Sequence, residues 1–129
     1  MKIYFDDKLK VFADTGKHTI KTDQPVKAGS DGEFPTPFTT FLASVGTCAG
    51  IFVKGFCDRR KIPTDNISLS QQVFFDRSKG IIGRIDITIH VPGDFPEKYD
   101  QAVMASARHC SVKKHLRDDI EINVNIQRS

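Results

Sequence analysis

Across residues 37–60, large apolar side chains recur every three or four positions: Phe38, Phe41, Leu42, Val45, Cys48, Phe52 and Phe56. At about 100° per residue this spacing predicts a helix with one broad apolar face. Elsewhere the pattern is shorter and shifts to period two. Residues 3–5 and 9–13 read as a strand pair turning at Asp6, Asp7 and Lys8, and 17–22 as a third strand after Asp14, Thr15 and Gly16. Gly, Pro and Asp crowd residues 23–37, which makes that stretch a loop leading into the helix. Pro63 should stop the helix near Lys61. Beyond it, 67–76 and 81–91 flank the turn Arg77, Ser78, Lys79 and Gly80, and Ile85, Ile87, Ile89 and Val91 alternate with polar residues. Asp94, Pro96 and Glu97 read as a capping box opening a second helix, with Tyr99, Val103, Met104 and Ala107 as its buried stripe. That helix should break near His109, Cys110 and Ser111, and a last strand alternates through Ile120, Ile122, Val124 and Ile126. The order implies an α+β fold with two apolar helices on an antiparallel sheet.

At 129 residues the chain suits one domain, residues 1–129, with a real core. Its 39% hydrophobic and 27% charged content argues against a disordered chain or a membrane protein. No run approaches 18 uninterrupted apolar residues and the first ten residues lack a signal-like segment, so the expected location is the cytoplasm. The net charge of +3 is spread along the chain, which leaves no basic cluster to suggest nucleic acid as a partner.

Three cysteines form no even disulfide framework and fit reduced thiols. Ala43, Ser44, Gly46, Thr47, Ala49 and Gly50 surround Cys48 with small side chains that let a substrate or another backbone approach. Cys57 follows nine residues later, about 180° around the helix, and reads as packing. Cys110 stands where a short helix is expected to start, beside Arg108, Lys113 and Lys114, a setting that should lower its pKa. No CxxC or HxxxH spacing points to a metal, and no GxGxxG, P-loop or GxSxG motif points to a nucleotide or a serine nucleophile.

Two segments together resemble a known family. PFTTFLASVGTCAG is similar to the first-cysteine helix of the OsmC/Ohr proteins, osmotically inducible and organic hydroperoxide resistance proteins, and ARHCSVKKHL is similar to their second-cysteine segment. The resemblance implies an intertwined α+β homodimer with antiparallel sheets around two central apolar helices. It also implies a thiol peroxidase that reduces organic hydroperoxides without metal or organic cofactor. By position Cys48 would be the peroxidatic thiol, passing through a sulfenic acid, and Cys110 the resolving thiol. A small or lipoyl dithiol would reduce the resulting disulfide. Phe38, Thr39, Phe41 and Phe52 would line the substrate pocket. Thr39 stands where family members commonly carry a glutamate, Ser111 where they often carry a proline, and no arginine precedes Arg59. Lys17 is therefore the nearest candidate to stabilise the thiolate, with His18 a poorer one and Glu33 a substitute carboxylate. The alternative implied by these departures is a dimeric module that binds a small acyl or sulfur-containing ligand beside Cys48 and turns over poorly.

Overall fold

A computed structural model describes all residues, 1–129. It divides into two compact units, Met1–Ala43 and Ser44–Ser129.

The first unit begins with a three-stranded antiparallel meander, β1 (Lys2–Phe5), β2 (Val11–Asp14) and β3 (Thr19–Thr22), in the order β1-β2-β3. The register runs from Lys2 opposite Asp14 to Phe5 opposite Val11, and from Val11 opposite Thr22 to Asp14 opposite Thr19. Gly16, at φ 94°, makes the second turn, where Asp14 Oδ1 accepts its N–H at 2.7 Å. Phe12 is buried with Tyr4 and Phe34 edge-on to it at 5.6 and 5.7 Å.

The loop after β3 is tied down by polar bonds. Asp23 is fully buried, and its carboxylate accepts from the Ser30 hydroxyl, from Gln24 N–H at 2.7 Å and from Glu33 N–H at 2.9 Å. Lys10 holds Asp31 at 2.7 Å and Glu33 at 3.2 Å. Thr36 caps the first helix, α1 (Pro37–Arg59), accepting Thr39 N–H at 3.1 Å, and Pro37 takes the first helical position.

In the second unit α1 ends in a Schellman motif: Ile62 N–H bonds Cys57 O at 3.0 Å and Lys61 N–H bonds Asp58 O at 3.1 Å. Lys61 occupies the left-handed position at φ 56°, where glycine is usual. The sheet has the order β4-β5-β6, with β4 (Ser68–Asp76), β5 (Ile81–Val91) and β6 (Glu121–Arg128). β4 and β5 form the expected antiparallel hairpin, turned by the Asp76 carboxylate, which accepts Ser78 N–H at 2.9 Å. The central strand β5 buries Ile82, Ile85, Ile87, Ile89 and Val91.

Three details differ from the sequence-based expectation. β6 runs parallel to β5, from Glu121 opposite Arg84 to Arg128 opposite Val91, so the sheet is mixed. A parallel neighbour needs a long crossover, and the second helix, α2 (Asp100–Ala107), supplies it. The Asp94 capping box does not form. A short 3-10 turn opens at Glu97, so the cap position falls on Pro96, which has no side-chain acceptor. Nor does Ser111 cap the 3-10 turn Lys113–His115, whose cap position is Val112.

The buried stripe of α1 also lies to one side of the expected one. Val45, Ala49, Val53, Phe56 and Cys57 are buried, while Phe38 and Phe41 are 49% and 38% exposed and Cys48 is half-buried. Small and β-branched residues allow close approach: a Cβ on Gly46 would stand 3.0 Å from Gln71 Oε1 of β4. By length and composition α1 could cross a membrane, yet these five residues pack into the second unit.

Replacing Lys61 by glycine removes the steric cost of the left-handed backbone. It should raise unfolding stability by about 0.5–1 kcal/mol, read as a higher urea midpoint at unchanged slope. For Asp23, burial favours the neutral acid, but the Ser30, Gln24 and Glu33 donors and the Lys10 charge hold its pKa below the usual carboxylate value. Its contribution is therefore complete above the unfolded-state pKa of about 3.9 and disappears as pH falls through the lower folded-state pKa. Asp23→Asn should lower the urea midpoint at pH 7, and the gap from the parent protein should narrow below about pH 4.

Candidate functional site

The structure brings Cys48 and Cys110 together. Cys48 lies on α1, and Cys110 follows α2 at the head of the turn leading into Lys113–His115. Ser106 fastens α2 to α1 by donating its hydroxyl to Phe52 O at 3.1 Å. Cys110 is 2% exposed; its thiol donates to Val45 O at 4.0 Å and its sulfur accepts Lys113 N–H at 3.4 Å. The Cys48 thiol lies close enough to Cys110 and to the Ser111 and Val112 amides for all three to act on its proton affinity. No disulfide joins the two cysteines.

This arrangement drives the two proton affinities apart. Burial alone would raise the Cys48 pKa, but the Cys110 thiol and the Val112 and Ser111 amides outweigh it, and the net direction is downward. Cys110 moves upward, chiefly through burial and then through donation to Cys48, against smaller opposition from the Lys113 and Val112 amides. This reverses the expectation of a lowered Cys110 pKa. The Ser111 amide acts on the other sulfur, the Val112 amide acts on both, and burial outweighs the amides at Cys110. Cys57 is fully buried, burial raises its pKa, and Asp58 adds to the rise.

The other expected site residues fall as follows. Lys17 lies in the exposed turn between β2 and β3, in the first unit. Thr39 is engaged at the start of α1, its hydroxyl 3.0 Å from that of Thr36. Phe38 and Phe41 stack on each other with centroids 6.0 Å apart, and Phe52 is half-buried in the second unit. Sequence reasoning missed the amides of Ser111 and Val112, because a backbone donor has no residue signature. The one available signal was the expected short helix after Cys110, which announces free N–H groups without saying which acceptor they meet. No group of three or more His, Cys, Asp or Glu side chains is placed to hold a metal ion.

Residues 29–125 match the family model for OsmC-like protein. The chain belongs to the OsmC-like family. No curated protein matches it. Among solved structures it is similar to an osmotic stress induced and detoxification response protein from Psychrobacter arcticus 273-4, with TM-score 0.78 and 20% identity over 98% of this chain and 93% of that one. It is also similar to the organic hydroperoxide resistance protein OhrB of Bacillus subtilis, with TM-score 0.59 and 19% identity over 98% and 95% of the two chains. An organic hydroperoxide resistance protein OsmC from Legionella pneumophila gives TM-score 0.59 and 18% identity over 98% and 93%. At these identities the likeness shows the OsmC fold, which the α+β architecture described above shares.

The amide contribution is separable from the side chain at position 111. Ser111→Pro removes the N–H that serves Cys48, whereas Ser111→Ala keeps it. In this OsmC-like protein the proline variant should move the pH midpoint of Cys48 alkylation upward and slow iodoacetamide labelling at pH 7 about three- to tenfold. The alanine variant should match the parent, with both rates read by peptide mass spectrometry.

Proposed function

We propose that this OsmC-like protein is a thiol-dependent peroxidase that reduces organic hydroperoxides through a two-cysteine cycle. The observation that carries the reading is the meeting of Cys48 and Cys110 at one site, where surroundings draw the Cys48 pKa down and push the Cys110 pKa up. The Cys48 thiolate attacks the peroxide O–O bond, becoming a sulfenic acid and releasing an alcohol. Condensation with Cys110 gives a disulfide and water, before a second peroxide can oxidise the sulfenic acid further. A small or lipoyl dithiol returns both cysteines to the thiol state. The Ser111 and Val112 amides take the stabilising role that the sequence offered to Lys17. Phe38, Thr39, Phe41 and Phe52, the set the resemblance assigns, receive the organic group.

The assembly is read as a homodimer in the cytoplasm, one OsmC-like domain per chain. Both three-stranded sheets have open edges, and apolar residues stand in solvent in each unit: Phe5 is 83% exposed in the first, Ile51 71% and Phe75 53% in the second. A second chain that completes the sheets would cover them.

A second reading has one observation in its favour. The groups that lower the Cys48 pKa are a thiol and two amides, with no charged side chain among them. A module that binds a small acyl or sulfur-containing ligand at Cys48 would need no stronger activation. Substoichiometric cumene hydroperoxide separates the two. The peroxidase should form an intramolecular Cys48–Cys110 disulfide, seen by peptide mass spectrometry, and Cys48→Ser should abolish dithiol-driven peroxide consumption. Oxidation that falls on Cys57, or on no cysteine, would overturn the enzyme reading.

A further inference from the structure

The segment that carries Cys110 is laid along α1 in the reverse direction. Tyr99, just before α2, sets its ring edge-on to Phe56 with centroids 5.8 Å apart. Ser106 donates its hydroxyl to Phe52 O at 3.1 Å, and the Cys110 thiol donates to Val45 O at 4.0 Å. Cys48 therefore lies on α1 between the last two contacts, three residues after Val45 and four before Phe52. The two carbonyls are two helical turns apart on one face, about 10 Å along the axis. An aromatic edge contact tolerates sliding, whereas a hydroxyl bonded to one carbonyl oxygen does not. Ser106 is also where the turn to Cys110 begins, since its own carbonyl accepts His109 N–H at 3.0 Å. One residue thus holds α1 with its side chain and, with its backbone, the turn whose next residue is Cys110.

The two contacts that flank Cys48 have different fates when the cysteines join. A disulfide uses the Cys110 sulfur itself, so the thiol gives up its bond to Val45 O. The Ser106 bond involves no reacting atom and persists. We propose that Ser106 is the positioning residue of the resolving step, holding the Cys110 segment in register on α1 once the thiol has released Val45 O, a role that rests on the peroxidase reading and deepens it. In that step the Cys110 sulfur bonds the sulfur of the Cys48 sulfenic acid, the S–O bond breaks, and the oxygen departs as water with the proton that Cys110 gave up. Ser106 touches none of these atoms. It narrows the search that brings the two sulfurs into line, and a shorter search leaves less time for a second peroxide to take the sulfenic acid onward.

Two oxidants read the same closure by different routes. The aromatic disulfide dithiobisnitrobenzoate releases one coloured thiolate when Cys48 attacks it and a second when Cys110 displaces the reagent from Cys48, so one stopped-flow trace separates attack from closure. Ser106→Ala removes the oxygen and suits a helix. It should slow the second phase about three- to tenfold while the first stays within about twofold. Ser106→Thr, which keeps the hydroxyl, should restore the second phase. With excess cumene hydroperoxide, Ser106→Ala should raise the sulfinic acid share at Cys48 by a similar factor, read by peptide mass spectrometry. An unchanged second phase in Ser106→Ala would overturn the proposal, as would a threonine variant no faster than the alanine one. So would equal slowing of both phases, or a third coloured equivalent from Cys57, since each reports a general loosening of the unit. A parent protein that closes its disulfide with the aromatic reagent yet leaves cumene hydroperoxide unconsumed would overturn the peroxidase reading alone.

Discussion

Two thiols brought together need not be equally acidic, because burial and nearby donors act on each differently. In this chain the balance favours Cys48, whose pKa the Cys110 thiol and the Val112 and Ser111 amides draw down against the opposing effect of burial. Cys110 is acted on by the Lys113 and Val112 amides, but burial is the largest influence on it and raises its pKa. The chemistry assigned to the pair follows from this inequality. It draws down the proton affinity of the more accessible sulfur and raises that of the buried one. No bound metal and no charged side chain at the sulfur is needed, because oriented backbone dipoles in a partly dehydrated site act more strongly than they would in water.

The rest of the second unit maintains the inequality. α1 presents Cys48 at the margin of its buried stripe, where the side chain is reachable without leaving the helix. Ser106 fixes α2 against α1, and the Arg128 guanidinium grips both oxygens of Asp100, at 2.7 and 2.5 Å, at the opposite end of α2. These contacts leave little freedom in the segment that delivers Cys110 and its following amides. In the first unit a buried carboxylate does comparable work, with Asp23 gathering three donors from a loop that would otherwise have no regular structure.

Much of this fold was legible in the sequence. Period-two alternation marked β5, whose bounds match those read from the sequence, and Pro37 and Pro63 bracketed α1. What failed did so for identifiable reasons. The helical spacing of Phe38, Phe41, Phe52 and Phe56 suggested a buried aromatic stripe; Phe56 is buried, but Phe38 and Phe41 are not, and Ala49 and Val53 take the closely packed positions beside Val45. Strand direction for β6 is absent from its own alternation, because parallel and antiparallel neighbours ask for the same period. At the site the two sulfurs were legible as residues. Their relative acidity was not, since it depends on Ser111 and Val112 through backbone groups that every residue except proline carries.

The parallel pairing of β6 with β5 has a mechanical consequence for the second sulfur. A strand that returns in the same direction must be carried back over the face of its sheet. The segment bearing Cys110 is thus the far end of such an overpass, anchored ahead by a packed helix and behind by a strand in full register. A segment hung between two such piers is held short at both ends. Cys110 is resident beside Cys48 in the reduced protein, the placement that the proposed cycle would call on without any part of the fold first coming undone.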